Sequence, residues 1–154
     1  MGLTPSFTSE DVASRFDAFI IAIQKRQIKR LQYLAEQCVI HARSIPADIG
    51  FRDQTGNLRS SIGYMIFLDG VAIHENYAGT SEGADAGRAL ARKASKRHPS
   101  GLLLVVTAGM SYALKVEAKG RDVLSSAEAF AEQELPSMLE QLDRNIQLVL
   151  NENE

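Results

Sequence analysis

The run Ile62-Gly63-Tyr64-Met65-Ile66-Phe67-Leu68-Asp69-Gly70-Val71-Ala72-Ile73-His74-Glu75-Asn76-Tyr77 decides the fold of this chain. Two apolar segments flank Asp69-Gly70, a dipeptide whose residues both accept positive φ and therefore close a tight hairpin. The reading is a strand from Ile62 to Leu68 followed by a second from Val71 to Tyr77.

Working upstream, residues 46–61 read as a loop that ends in a short turn of helix. Thr55 is the expected N-cap, Gly56 tolerates an unusual backbone angle, and Leu58 and Ile62 point inward. Before that loop stands the clearest helix of the chain. Thr8, with Asp11 three residues on, sets up its N-terminus. Val12, Phe16, Phe19, Ile20, Ile23, Ile28, Leu31, Leu34, Ala35, Cys38, Val39 and Ala42 then recur at helical spacing. Pro46 disfavours helical geometry at Ile45 and ends the run.

From Ser9 to Ser44 such a helix is about 54 Å long at 1.5 Å per residue. A compact domain of this size is only about 40 Å across. The helix therefore bends near residues 24–27 or carries its apolar end into a contact with a neighbouring subunit. The second alternative is the expectation.

Downstream of the hairpin, residues 78–87 are rich in Gly, Ser and Ala and read as a flexible connection. A helix with an alanine face follows, from about Ala84 to Arg97, and Pro99-Ser100-Gly101 ends it. Leu102 to Ala108 is an apolar, β-rich run, expected to be a strand covered on both faces. Tyr112 to Glu117 is ambiguous between helix and strand. Ser125 with Glu128 three residues later opens a last helix by a capping-box pattern. Its stripe of Ala127, Ala131, Leu135, Met138, Leu142, Ile146 and Val149 crosses Pro136, where a kink is expected.

The fold class is thus α+β. A small antiparallel sheet, the hairpin plus one or two further strands, packs with a long N-terminal helix and a kinked C-terminal helix. The chain is read as a single domain, 1–154, with residues 1–8 and 151–154 frayed. At 154 residues, 45% apolar and 23% charged, it has the composition of a globular protein that buries a core without staples. The lone Cys38 closes no intrachain disulfide and reads as a small buried hydrophobe of a reducing compartment. No signal peptide is legible at the N-terminus, and no apolar stretch approaches the ~20 residues that span a bilayer.

No catalytic kit is legible. His41, His74 and His98 are scattered, and Cys38 with His41 lacks further ligands at metal-binding spacing. Ser60-Ser61 and Ser125-Ser126 lack a nucleophile-elbow pattern. Gly79, Gly83 and Gly87 are followed by no Lys-Ser/Thr at P-loop spacing. The expectation is a protein that is not an enzyme and holds no cofactor or metal.

The net charge of −2 hides a local asymmetry. Arg88, Arg92, Lys93, Lys96 and Arg97 form a basic segment, and Lys25, Arg26, Lys29 and Arg30 form a second cluster. From Glu128 onward the chain is strongly acidic. The basic segment is a solvated face, a contact with the acidic surface of another subunit, or a non-specific contact with DNA phosphates. Nothing supports base stacking on aromatics or a helix-turn-helix.

Gln54-Thr55-Gly56-Asn57-Leu58-Arg59-Ser60-Ser61-Ile62 resembles the Thr-Gly-x-Leu-Arg-x-Ser pattern of siphophage tail-completion, or head–tail neck, proteins. Tyr112-Ala113 followed by Val116-Glu117 is similar to that family's Tyr-Ala-x-x-Val-Glu element. In the family a long helix precedes the first motif, a strand follows it, and a glycine loop leads from the second into a C-terminal helix. Gly120 and the run from Ser125 match that order here. The resemblance implies a structural virion protein of a phage or prophage that assembles as an oligomeric ring between head and tail. Its implied partners are copies of itself and other phage head or tail proteins, with no membrane. Its implied location is the virion, and the bacterial host cytoplasm during assembly. It further implies that Thr55, Gly56 and Leu58 shape the loop–helix junction, while Tyr112 and Glu117 anchor the opposite side of the sheet, with Arg59 and Ala113 as further motif positions. The alternative expectation is a nucleic-acid-binding accessory protein that uses the basic helix around residues 88–97.

Overall fold

A computed structural model describes residue 6 and residues 8–152. Helix α1 spans Ser9–Ser44, α2 Asn57–Ser61, β1 Ile62–Leu68, β2 Val71–Asn76, α3 Ser81–Ser95, β3 Leu102–Ala108, α4 Ala113–Ala118 and α5 Ser125–Asn151. The class is α+β, as the sequence predicts. The expected frayed ends fall mostly outside the described residues.

The hairpin closes where the sequence places it. Asp69 and Gly70 have φ of 49° and 81°, the mirror-image turn geometry that matches strand twist. Strand β1 lies at the centre of a three-stranded antiparallel sheet of order β2-β1-β3. Its register with β3 runs unbroken from Ile62 opposite Ala108 to Leu68 opposite Leu102. The β1–β2 register shifts between Ile66 and Phe67.

Alternation along β1 sends side chains to two different layers. Ile62, Tyr64 and Ile66 face a core built with Leu34, Cys38 and Val39 of α1 and Ala127 of α5. Met65 and Phe67 face the opposite way, onto Ala84 and Ala91 of α3. That double covering is why β1 is apolar throughout.

The α1 predictions hold at both ends. Thr8 and Asp11 form a reciprocal capping box, and Ile45 ahead of Pro46 turns extended (φ −62°, ψ 124°). The helix is unbroken through residues 24–27. Helix α5 continues through Pro136 and lies along α1 in the opposite direction. Cys38 Sγ is 3.8 Å from the Ala127 carbonyl, and Arg30 Nη1 donates to Gln141 Oε1 at 3.1 Å.

One expectation is corrected and a second is refined. Residues 81–87 are the first two turns of α3 and not a flexible connection. Gly83, Gly87 and Gly109 are there for close approach: a Cβ on Gly83 would sit 2.3 Å from the Asn57 carbonyl, and one on Gly87 2.3 Å from the Tyr77 ring. Strand β3 packs on both faces, Leu102, Leu104 and Val106 against the main core and Leu103 and Val105 against the α3 layer, but as an edge strand it is only partly buried, with Thr107 alone fully so.

Candidate functional site

The first motif builds a junction among α1, α2 and β1. Gly56, at φ 79°, is the N-cap of α2 and carries no side-chain cap, so Thr55 is not the cap the sequence suggested. Thr55 Oγ1 instead accepts from the Asn57 N–H at 3.3 Å. The open helix start is satisfied by Asp53, whose carboxylate accepts from the N–H of Arg59 at 2.8 Å and of Leu58 at 3.4 Å. Five residues of helix thus gain a negative charge at the positive end of the dipole. Leu58 is buried in the core.

Arg59 closes the other end of the junction. Its guanidinium donates to the carbonyls of Arg43 and Ile45, the last of α1, and stacks over the Phe51 ring at 5.0 Å. A C-terminal helix end leaves such carbonyls unpaired, and a cation is the favoured partner. Arg43 in turn reaches β1, donating from Nη2 to the Ile62 carbonyl at 2.6 Å. Partial burial holds the Arg43 guanidinium below its ordinary value, with Glu36 opposing that shift.

The second motif caps a helix. Tyr112 is the N-cap of α4 and packs against the main core, and Ala113 is buried. Glu117 Oε1 accepts from the N–H of Leu124 at 3.1 Å and of Ser125 at 2.8 Å, and from Ser125 Oγ at 2.5 Å. The N-cap of α5 is Leu124, which has no capping side chain, so the Ser125–Glu128 box expected from sequence does not form. Nor does Glu117 anchor the sheet: it supplies the missing cap from the preceding helix. Burial pushes its carboxyl up, but the hydrogen bonds of Ser125 and of the Leu124, Ser125 and Val123 backbone outweigh that and hold it below the ordinary value.

The basic segment is divided. Arg88 is occupied, with Nε on Glu75 Oε1 at 2.9 Å, Nη1 on Asp85 Oδ1 at 3.2 Å, and its plane over Tyr77. Arg92, Lys93, Lys96 and Arg97 are exposed at the end of α3 and have no ion-pair partner among the described residues. They lie on the opposite side of the sheet from the acidic α5.

Two apolar surfaces remain. The first is the N-terminal third of α1, which extends past the end of α5. Phe16 is 63% exposed and Val12 53%, with Ile20 and Ile21 also exposed. The second is a groove whose back wall is α1 and whose floor is Leu102, Leu104 and Val106 of β3. Its roof is formed by Leu124, the N-cap of α5, and by Ala127, Ala131, Leu135 and Met138 of that helix. Within it lie cavities of about 490 and 280 Å³.

Cys38 is buried, and burial pushes its thiol up. His41 Nε2 is 2.9 Å from Ser126 Oγ, and the ring stacks on Phe130. Among the described residues no three His, Cys, Asp or Glu side chains group to hold a metal ion. No helix among them is long and apolar enough to cross a membrane.

No protein-family model, curated protein or solved structure matches this chain. The candidate surfaces therefore rest on their own geometry. Sequence reasoning anticipated the exposed end of α1 from its length, but missed the groove. No local pattern marks a groove, because it arises from where α5 docks on α1.

Proposed function

We propose that this chain is a structural subunit of a phage or prophage neck or tail-completion ring, acting by self-association rather than by bond-making chemistry. One observation carries the reading: the N-terminal third of α1 presents Val12, Phe16, Ile20 and Ile21 to solvent, each about half exposed or more among the described residues. An apolar helical face left uncovered in one copy is covered when copies associate. The two motifs support the same reading, since Arg59 and Glu117 rigidify the ends of α1 and α5. Head or tail proteins would be the further partners, in the virion and in the host cytoplasm during assembly.

Charge adds direction. Arg92, Lys93, Lys96 and Arg97 lie on one side of the sheet, and the acidic α5 on the other. A basic side meeting the acidic side of the next copy is a heterologous contact, the kind that generates rings. Light scattering on the purified chain tests this. A mass that is a multiple of 16.9 kDa, reduced to one chain by F16D/I20D, is expected. A strictly monomeric chain at high concentration overturns it.

A second reading, a nucleic-acid-binding accessory protein, is favoured by the same four exposed cations, which have no ion pair among the described residues. They would meet duplex phosphates without reading sequence. Fluorescence anisotropy decides it: tight binding by the monomer that weakens steeply with salt sustains this reading, and binding unaffected by substituting these four residues overturns it.

A further inference from the structure

The two edges of the sheet are built differently. β2 pairs with β1 through a register shift and carries His74 and Glu75, features that blunt an edge. β3 has seven residues in unbroken register and no charge, proline or bulge. Its hydrogen bonds fix which groups face outward. The Asp69 N–H donates to the Gly101 carbonyl at 2.9 Å, and the Gly109 N–H to the Ser61 carbonyl at 3.3 Å, at the two ends of one register. An antiparallel strand bonds to its neighbour at every second residue, so Leu103, Val105 and Thr107 bond to β1. The backbone N–H and C=O groups of Leu102, Leu104, Val106 and Ala108 therefore point away from the sheet, and no strand among the described residues pairs with them.

Above that row of open groups α5 overhangs the edge. Leu104 and Val106 share the groove with Ala127 and Ala131, and Leu102 shares it with Leu135 and Leu142. From Leu124 to Leu142 the roof runs about 27 Å at 1.5 Å per residue, and a seven-residue strand runs about 23 Å. Glu128 lines the same groove, and Glu132 stands one turn further along that side of α5. Both are exposed and have no ion-pair partner among the described residues.

We propose that this edge is a docking site for an extended segment of another protein, which joins the sheet as a fourth strand. Alternation sends every second side chain of that strand under α5, so these are apolar. The last of them is a lysine or arginine, whose stem lies in the groove while its charge reaches Glu128. A second copy does not fit the place. Its β3 brings α1 on one face and α3 on the other, where α5 already occupies the space above the position, and its β2 is the blunted edge. A lone segment brings no helices with it. The site goes beyond the self-association reading and stands whether or not copies assemble.

The test uses the full chain and the peptide acetyl-Lys-Thr-Val-Thr-Val-Thr-Lys-amide. Its lysines close both ends of one face, so either strand direction brings a cation to Glu128. With the peptide in millimolar excess, hydrogen exchange at the Leu104 and Val106 amides, read by NMR, is expected to slow about tenfold or more. The Leu103 and Val105 amides, already bonded to β1, should change little. A peptide with glutamate in place of both lysines should bind about fivefold more weakly at low salt, and E128K/E132K should reverse that preference. Ala131→Trp, which fills the groove from α5, should abolish the response. If that variant misfolds by circular dichroism, a peptide with proline for both valines makes the comparison, since it lacks the N–H groups that a fourth strand donates. Unchanged exchange at Leu104 and Val106 overturns the site, and equal slowing by the proline peptide overturns strand addition. Slowing at the same amides when chain concentration alone is raised makes a second copy the occupant and overturns the partner. Equal binding of the lysine and glutamate peptides overturns its basic character. Light scattering reads self-association separately, so either reading can fail alone.

Discussion

Glu117 accepts the backbone N–H of Ser125 at 2.8 Å, so a side chain from one helix caps the start of another. The seven residues between them include a loop with Gly120 at φ 76°. Glu117→Gln is expected to lower stability by about 1 kcal/mol, the usual cost of weakening an N-cap. For a chain of this length that is a fall in Tm of roughly 2–4 °C. The effect depends on pH. The folded carboxyl lies below its ordinary value of 4.5, so its contribution is full above that value and is lost as pH falls through the folded one. Thermal melts of wild type and variant should differ at pH 7 and converge in strong acid.

Arg59→Ala should be the most damaging loss of a polar contact at the first motif. It removes the donor to the Arg43 and Ile45 carbonyls and the stack on Phe51. Charge-assisted hydrogen bonds of this kind are worth about 1.5–3 kcal/mol, and urea unfolding should register a loss in that range. Arg59→Lys should recover less than half, because an ammonium cannot span two carbonyls as a planar guanidinium does.

Gly87→Ala places a methyl group 2.3 Å from the Tyr77 ring and 2.6 Å from the Ser61 carbonyl. Overpacking typically costs about 1–3 kcal/mol. Ala89→Gly, two residues on and exposed, serves as the contrast at about 1 kcal/mol from helix propensity alone. Equal losses in chemical denaturation would show that α3 does not need its close approach to β1.

Tyr64 donates to Glu36 Oε1 at 2.7 Å, and burial, followed by that bond, pushes its phenol up to about 12. A folded-state value above the ordinary one favours folding below pH 10 and loses that contribution as pH rises through 12. Stability should therefore decline above pH 10, and less steeply in Tyr64→Phe. Tyr77, also raised by burial, keeps part of the slope. Ultraviolet titration of phenolate absorbance alongside unfolding curves checks both.

Local signals were legible wherever they were complete within a few residues. Thr8 with Asp11, Pro46 after Ile45, and Asp69-Gly70 each act over a single turn, and each appears as read. Capping was misread at Thr55 and Ser125, because the carboxylates that do the work, Asp53 and Glu117, reach in from outside the helices they cap. The glycines at 83 and 87 read as loosening the chain. They are needed because α3 lies almost against α2 and β1, a fact of packing that composition does not express.

By itself, then, the sequence determined the α+β class, the long first helix, the hairpin and the helix through Pro136, since hydrophobic period and turn chemistry are properties of neighbours along the chain. Only the tertiary structure decided that β3 pairs with β1 at an open edge, and that α5 lies over the space beside it. It likewise decided that Val12 and Phe16 at the start of α1 stand exposed. Those facts depend on which apolar face meets which, and that is settled by long-range burial between residues far apart in sequence.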